Sequence, residues 1–283
     1  DTFDIHAGGK DMFGLDWVYV DVAGGSMSEG HFFDDANDWK DYVKMPDIDA
    51  WDWAACAREN PVDPRFPCFM SFANGFWFER LISFMDFMPA AMALIDDDQI
   101  EAVRELFDAM TDLGCRLVDK FCEYFPMVDI LEVHDDWGAQ KDLMFSPDLW
   151  REIIYPHFKK VVDHVHARGC LCSLHSDGCV MKVADGLVDL GLDVVHPWQE
   201  SAGMSYDLYL DKYADSFAIM GGVCVQTAIG ILPRDQLEAE IRRVFKTLRG
   251  KRWIACTSHF VQDHCSMEDL EFAYDLIYKL ARE

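Results

Sequence analysis

Short hydrophobic segments of β-type composition alternate with longer amphipathic segments along most of this chain. Several of the short segments end in polar side chains, which is typical of strands in a parallel sheet. The longer segments carry apolar residues at helical spacing. This pattern predicts strands at residues 67–72, 128–134, 171–175, 193–198, 217–223 and 253–257.

Residues that begin helices stand between the predicted strands. Ser146 followed by Pro147 is typical of an N-cap and a first helical position. Pro233 opens another helix, and Ser266 with Asp269 begins the last helix in the manner of a capping box. The predicted helices cover residues 76–95, 97–124, 148–168, 233–249 and 267–281.

Alternating strands and helices indicate an α/β protein with a parallel sheet, either a (β/α)8 TIM barrel or an open doubly wound sheet. We favour the barrel, because no glycine-rich dinucleotide motif follows a strand and polar groups end most of the strands. The pattern does not show eight strands. Because the chain starts at Asp1 and not at a Met, we expect N-terminal sequence to be missing.

The first 66 residues have a different pattern and are predicted to form an N-terminal extension or lid packed on the barrel. Residues 17–22 with Gly24 and Gly25 resemble a hairpin, and residues 39–53 are a Trp- and Asp-rich segment typical of a surface or lid. The predicted domains are therefore an extension at 1–66 and a barrel at 67–283.

Composition narrows the class of protein and its compartment. Hydrophobic residues make up 51% of the 283 positions, which predicts a packed globular protein. The net charge of −26 argues against nucleic acid and anionic membrane surfaces as partners, and no apolar run is long enough to span a bilayer. Ten cysteines without a disulfide framework indicate reduced thiols in a cytoplasm, such as an anaerobe's. The oligomeric state stays open, with a homodimer as one option.

Two predicted strands are followed by side chains that could supply three ligands to Zn²⁺. His175 and Asp177 lie at the end of one strand, and His259, 82 positions after Asp177, follows the other. Alternatively, each histidine only caps its strand, because a His-x-Asp spacing has no intrinsic specificity. Cys224 follows a pair of glycines that would let a ligand approach, and it is a fourth possible ligand or a small buried filler.

Further polar side chains at the predicted rim could take part in catalysis. Asp136 with its neighbour Asp135 could be an acid/base pair, or one could cap a helix while the other is solvated. Glu200, close to Trp198, is a candidate for an additional metal ligand or a proton carrier, and a partly buried carboxylate there would have a raised pKa. Gln140 lies in the loop after the second strand of this set.

Several of these residues lie in motifs that resemble the uroporphyrinogen decarboxylase superfamily. The motifs are LHSDG at 174–178, MGG at 220–222, SHFVQ at 258–262 and the loop DDWGAQ at 135–140. The resemblance covers about residues 67–283 and implies a (β/α)8 barrel and a cytoplasmic enzyme. Its corrinoid-dependent methyltransferases, such as methylcobalamin:coenzyme M enzymes, bind zinc through His-x-Cys and a later Cys, and here the matching positions are His175, Asp177 and His259.

The resemblance implies a metal-dependent methyltransferase that moves a methyl group between a small O- or N-methylated compound and a corrinoid (cobalamin) on a partner protein. The expected ligands of the Zn²⁺ are His175, Asp177 and His259, with Cys224 as an addition. The expected roles of the other residues are substrate orientation or proton transfer by Asp136, Gln140 and Glu200, and cofactor contacts by Asn74, Trp137, Trp198 and Gln262.

Two alternatives remain at the level of sequence. A cofactor-free decarboxylase of the uroporphyrinogen type would need Arg or Lys near its polycarboxylate substrate, and residues 1–66 show no match to the Arg-rich segment or essential Asp of that branch. His259 matches a histidine of the decarboxylase pocket and favours this alternative. A non-catalytic barrel that binds a corrinoid or another metabolite is the third hypothesis, because both thiolate ligands are replaced.

Overall fold

The computed structural model describes residues 8–20, 25–72, 75–261 and 264–283. The chain forms two compact units, and each is interrupted in sequence. The first unit comprises Asp1–Asp135 and Phe145–Cys172, and the second comprises Asp136–Met144 and Ser173–Glu283. No helix in the described part of the chain is long and apolar enough to cross a bilayer.

The first unit combines a small antiparallel sheet with a parallel strand pair and several helices. Strand β2 (Asp16–Val20) pairs with both β1 (Gly9–Lys10) and β3 (Gly25–Ser28), and β4 (Cys68–Phe72) lies parallel to β5 (Val128–His134). The helices of this unit are α1 (Trp39–Tyr42), α2 (Trp53–Glu59), α3 (Phe78–Met85), α4 (Phe87–Ala93), α5 (Ile100–Tyr124), α6 (Pro147–Leu149) and α7 (Tyr155–Ala167).

The second unit is built on parallel strands that pair in sequence order. Strand β6 (Leu171–His175), from Ser173 onward, pairs with β7 (Val194–His196), which pairs with β8 (Ala218–Val223), and β8 pairs with β9 (Trp253–Thr257). The helices of this unit are α8 (Ala184–Leu190), α9 (Tyr206–Lys212), α10 (Arg234–Leu248) and α11 (Met267–Arg282).

Helices α10 and α11 close the core of the second unit over β8. The apolar faces of the two helices bury residues such as Leu237, Ile241, Ala273 and Ile277 together with Val223 of β8. Helix α11 begins where the capping signal predicts, because the Ser266 hydroxyl accepts a hydrogen bond from the backbone N–H of Asp269 at 3.1 Å.

The strands and the α/β class predicted from sequence are confirmed. All six predicted parallel strands are present, although β7 is shorter than residues 193–198. Strands β2 and β3 pair antiparallel as the predicted hairpin requires, and residues 21–24 lie outside the described part of the chain. Closure into an eight-stranded barrel stays a prediction, as do the domain boundary at residue 66 and the packing of 1–66 as a lid.

Two predicted helices differ from the structure in a way that has a local cause. The helix predicted at 76–95 is wrong as a single element, because Asp86 has φ 68° and separates α3 from α4. The helix predicted at 148–168 has a π-helical turn, Trp150–Ile154, between α6 and α7. Its predicted cap is confirmed, because Ser146 Oγ accepts the Leu149 N–H at 3.1 Å.

The Trp-rich segment at 39–53 is predicted to be a surface or lid, but part of it is buried. Trp39 and Trp53 are buried, and only Trp51 is exposed. The indole N–H of Trp53 donates to the carbonyl of Ile48 at 2.7 Å, and its ring stacks on Tyr124 of α5. The indoles therefore attach this segment to the core of the first unit.

The cysteines are reduced, as their distribution predicts. All ten are free thiols, and Cys170 and Cys172 are buried on one side of the chain while Leu171 between them is exposed. Burial raises the pKa of Cys170 to about 11, and the nearby Cys122 thiol at 3.8 Å adds to the rise. The Cys170 thiol is therefore protonated at neutral pH and packs as a small apolar side chain.

Candidate functional site

The register of β6 and β7 places two histidines side by side at the carboxyl ends of the strands. His175 is the register partner of His196, and the N–H of Ser176 donates to the His196 carbonyl at 2.8 Å. The two imidazole rings are 4.8 Å apart between centroids, and their Nδ1 atoms lie at 2.9 Å. Strand pairing therefore fixes the position of both imidazoles.

Asp177 joins His175 to His259, which follows strand β9. Oδ2 of Asp177 lies 3.0 Å from Nε2 of His259 and 3.8 Å from Nε2 of His175. The other oxygen, Oδ1, is buried and has no hydrogen-bond partner in the part of the chain that the structure describes. The structure thus brings together the three side chains that the sequence predicted as metal ligands.

The charge states of this group follow from its contacts. Burial opposes ionisation of Asp177, but the two nearby imidazoles outweigh burial and hold the pKa of Asp177 well below its usual value. The contact with Asp177 raises the pKa of His259 against the effect of its own burial. Asp177 is therefore a carboxylate at neutral pH.

Backbone contacts hold the Asp177 loop in place. The carboxylate of Asp136 accepts the Asp177 N–H at 2.7 Å. Gly178 has φ 78°, and a Cβ at this position would lie 2.5 Å from backbone atoms of Gly138, so the two glycines pack backbone against backbone. The loop 136–144 and the loop after β6 are therefore closely packed.

Asp135 and Asp136 each accept hydrogen bonds from backbone N–H groups, and their role as an acid/base pair stays a prediction. In the first unit, the buried carboxylate of Asp135 accepts backbone N–H groups from Phe76, Trp77, Phe78 and Glu79 at 2.9–3.1 Å, which caps the start of α3. In the second unit, Asp136 holds the N–H of Asp177. The capping alternative from sequence is correct for Asp135, and Asp136 acts on a backbone group.

Cys224 lies in a separate cavity of the second unit, with a volume of about 200 Å³. Its Sγ is 3.3 Å from the Ser201 hydroxyl. Within the described ranges, Cys224 makes no hydrogen bond or ion pair with His175, Asp177 or His259. Burial raises the pKa of the Cys224 thiol, but hydrogen bonds, chiefly from Ser201, Thr227 and the backbone at Gln226, lower it below its usual value. Trp198, Glu200 and Tyr206 also line this cavity.

Glu200 differs from the sequence prediction. The residue is exposed, and its carboxylate forms a 2.5 Å ion pair with Arg243, which also binds Glu240 at 2.8 Å. The prediction of a partly buried carboxylate is therefore wrong, because the position after Gln199 faces solvent and an arginine of α10 reaches it. Trp198 itself is fully buried, as expected.

Gln140 and Trp137 occupy different environments in the second unit. The exposed Gln140 lies 3.5 Å from the side-chain oxygen of Gln226, which also accepts the Gln199 amide at 2.8 Å. Trp137 is fully buried, and its backbone N–H donates to the Ser176 hydroxyl at 3.1 Å. The predicted cofactor contacts Asn74 and Gln262 lie outside the described residues.

His196 is the part of the site that the sequence analysis did not assign as a ligand. The sequence places it at a strand tip, but its spacing relative to His175 has no meaning until β6 and β7 are known to pair in register. That register is the signal, and it depends on long-range pairing.

A sequence profile of a known family identifies the family of this chain. Residues 84–280, more than half of the chain, match the profile described as uroporphyrinogen decarboxylase (URO-D). The chain belongs to the uroporphyrinogen decarboxylase family. The resemblance inferred from the motifs is thereby confirmed. No sequence among curated proteins matches this member of the family.

A solved structure shares this fold at low sequence identity. A methyltransferase from Methanosarcina mazei superposes with a TM-score of 0.63 at 17% identity, over 89% of this chain and 72% of that protein. A zinc-binding IOLI protein is less similar, with a TM-score of 0.34 at 10% identity over 83% of each chain. At 17% identity the similarity to the methyltransferase shows the fold alone, and the similarity to the IOLI protein is too low to support any conclusion.

Proposed function

We propose that the protein transfers a methyl group between a small O- or N-methylated compound and a corrinoid carried by a separate protein. A metal ion, Zn²⁺ in the first instance, would be bound by His175, Asp177 and His259. The observation that carries the proposal is the convergence of these side chains on Asp177, at 3.0 and 3.8 Å from its Oδ2.

The donor set fits such an ion. Two imidazole nitrogens and one carboxylate oxygen are ligands that zinc accepts, and three protein ligands leave a position open for substrate. Oδ1 of Asp177 is buried without a hydrogen-bond partner, as expected of a carboxylate that binds a cation. The low pKa of Asp177 keeps the carboxylate ionised, so no proton has to leave it when a cation binds.

Nitrogen and oxygen donors suit a different substrate from thiolate donors. A cation in this site would act as a Lewis acid toward the oxygen or nitrogen that carries the methyl group. Asp136 holds the loop of Asp177 through its backbone N–H, which keeps the carboxylate oriented. We assign no proton transfer to Glu200, since its carboxylate is held by Arg243. Gln140, exposed in the loop 136–144, would orient substrate.

The family and the fold support the proposal from a second direction. The chain belongs to the uroporphyrinogen decarboxylase family, and it shares its fold with a methyltransferase from Methanosarcina mazei. That neighbour is named as a methyltransferase, and the His/Asp/His group occupies the positions where the sequence motifs predict the metal.

Metal content of protein purified without chelators tests the proposal. We expect about one zinc per chain in the wild type and none in a His175→Ala/His259→Ala double variant, measured by mass spectrometry. His164→Ala is the matched control, because it removes a histidine that also contacts a carboxylate, Asp119 at 2.7 Å, in the first unit. Methoxylated compounds and methylamines are then screened with a corrinoid protein as acceptor. A metal-free wild type with no methyl transfer would contradict the proposal.

Decarboxylation of a polycarboxylate is the second function, and membership of this family favours it. Its substrate would need cationic side chains around it. Next to the cavity of the second unit, Arg243 already binds the carboxylates of Glu200 and Glu240, and the group around Asp177 consists of imidazoles and carboxylates. Incubation with uroporphyrinogen and analysis for products with fewer carboxyl groups distinguishes the two functions.

A further inference from the structure

The pair formed by His175 and His196 has a consequence for the proposed metal site. The Nδ1 atoms of the two rings are 2.9 Å apart, which is the distance of an N–H···N hydrogen bond. A neutral imidazole carries one proton on one of its two nitrogens, so in this contact one ring donates and the other accepts. The ring that donates through Nδ1 has a lone pair on its own Nε2.

The opposite side of the His175 ring indicates which ring donates. Nε2 of His175 faces Oδ2 of Asp177 at 3.8 Å, which is beyond hydrogen-bond distance, whereas Nε2 of His259 approaches the same oxygen to 3.0 Å. A protonated Nε2 on His175 would be drawn closer to this carboxylate. The longer distance suits two ligand atoms that face a shared cation.

We propose that His196 is a positioning residue whose Nδ1 accepts the Nδ1–H of His175, so that Nε2 of His175 presents its lone pair to the metal ion shared with Asp177 and His259. This inference rests on the proposed metal site. Histidine ligands of metals commonly donate their second ring N–H to an acceptor that fixes the tautomer and the ring orientation. Here the acceptor is another imidazole, set in place by strand pairing.

The neighbouring backbone makes His196 a rigid acceptor. Parallel pairing of β6 with β7 sets His175 directly opposite His196, and the Ser176 N–H bonds the His196 carbonyl at 2.8 Å. Both imidazoles therefore leave adjacent strands from fixed backbone positions. A different arrangement, in which both Nδ1 atoms bind one metal without Asp177, would leave Asp177 Oδ1 without a hydrogen-bond partner among the described residues.

The first test reads the tautomer in metal-free protein. Long-range ¹H–¹⁵N spectra of protein labelled at histidine distinguish a protonated Nδ1 from a protonated Nε2, and His175→Gln and His196→Gln variants assign the signals. We expect the proton on Nδ1 of His175 and a bare Nδ1 on His196. A proton on Nε2 of His175 would overturn the proposal, whatever the protein does with metal.

The second test uses variants of His196 with zinc affinity as the readout. His196→Asn places an amide oxygen close to the position of Nδ1, where it can still accept, whereas His196→Ala removes the acceptor. We expect His196→Ala to weaken zinc binding by about 10- to 100-fold, as for other outer partners of ligands, and His196→Asn to stay within a few-fold of wild type. Competition with a chromophoric chelator gives the affinities, and thermal unfolding of the metal-free variants shows that they fold.

The outcomes separate this inference from the proposed function. Equal losses in His196→Asn and His196→Ala, or ¹⁵N shifts in the zinc-loaded protein that show zinc on Nδ1 of both histidines, would overturn the positioning role while the metal site stands. A wild type that binds no zinc would overturn the metal site and the role of His196 toward it, and the tautomer measured without metal would still be known.

Discussion

The carboxylate of Asp177 contacts His259 through one oxygen only. Oδ2 lies 3.0 Å from Nε2 of His259, while Oδ1 is buried and has no hydrogen-bond partner. A buried acceptor in this condition costs about 1–3 kcal/mol in the folded protein. A cation bound at this carboxylate would remove that cost.

Zinc should therefore stabilise the wild type and fail to stabilise Asp177→Asn. At a free zinc concentration about 100 times its Kd, binding to the native state adds about 2.7 kcal/mol to the free energy of unfolding. Asp177→Asn lacks the charged ligand, and we expect its increase to fall to nearly zero. Urea unfolding with and without zinc measures both, and the exposed Asp211→Asn is the control. An equal increase in all three proteins would show that zinc binds elsewhere.

In the first unit, Arg80 and Asp11 form a buried ion pair that we expect to dominate local stability. The two groups are 2.6 Å apart with side chains 2% and 1% exposed, and Asp11 also accepts the indole N–H of Trp17. Arg80→Ala leaves a buried carboxylate without its counter-charge, so the free energy of unfolding should fall by about 3–5 kcal/mol.

Arg104 offers a matched comparison for Arg80. Its ion pair with Glu152 is also 2.6 Å long, but the side chains are 29% and 65% exposed. Arg104→Ala should cost no more than about 1 kcal/mol, because water already screens that pair. Chemical denaturation of both variants gives the difference. Similar losses in the two variants would mean that burial of Arg80 has no special effect.

Asp135 should be needed for folding and not for metal binding. Its carboxylate accepts four backbone N–H groups at the start of α3, and loss of an N-cap costs about 0.5–2 kcal/mol. We expect Asp135→Ala to reach or exceed the upper figure, because the N–H groups are buried. Its zinc affinity at low temperature, where the variant is folded, should equal that of wild type. A selective loss of zinc binding would give Asp135 a role in the site.

Most of the fold could be predicted from local pattern, and the break between α3 and α4 is where tertiary structure decides. The parallel strands and the caps at Ser146 and Ser266 follow from alternation and from side-chain oxygens that bond helix N–H groups. The break at Asp86 was missed because a non-glycine residue with φ 68° leaves no mark in the hydrophobic pattern. Such a conformation is determined by the surrounding tertiary structure.

The site was predictable only where the residue type itself indicates a metal ligand. His175, Asp177 and His259 stand out because imidazole and carboxylate follow strand ends, and the structure brings them together. The environment of Glu200 could not be predicted, since it depends on Arg243, which lies 43 positions later on α10. Such pairings between distant segments are not contained in any local spacing.

Cys224 should be the thiolate-rich cysteine of the second unit near neutral pH. Hydrogen bonds lower the pKa of its thiol, so a larger fraction is thiolate at pH 7 than in an ordinary cysteine, and iodoacetamide should alkylate it faster. Ser201→Ala removes the hydroxyl at 3.3 Å, which raises the pKa and slows alkylation at pH 7. At a pH above both pKa values the two rates should converge.

Peptide mass spectrometry measures the alkylation of Cys224 at each pH. Thr247→Ala is the control, since the Thr247 hydroxyl bonds a backbone carbonyl within α10. A pH profile for Ser201→Ala that coincides with wild type would show that this hydroxyl does not stabilise the thiolate.

Gly178 should be a position at which a single methyl group disrupts the proposed metal site without touching one of its ligands. Gly178 adopts φ 78°, and a Cβ would lie 2.5 Å from backbone atoms of Gly138, so Gly178→Ala must separate the two loops and shift the adjacent Asp177. Gly250→Ala is the matched control, because Gly250 has φ 75° in the same unit with nothing within 4 Å of its Cβ. Both variants should lose about 1–3 kcal/mol from backbone strain, but only Gly178→Ala should also weaken zinc binding. Equal zinc affinities in the two variants would mean that the position of Asp177 does not depend on the packing of these loops, and that its carboxylate is held by the imidazoles alone.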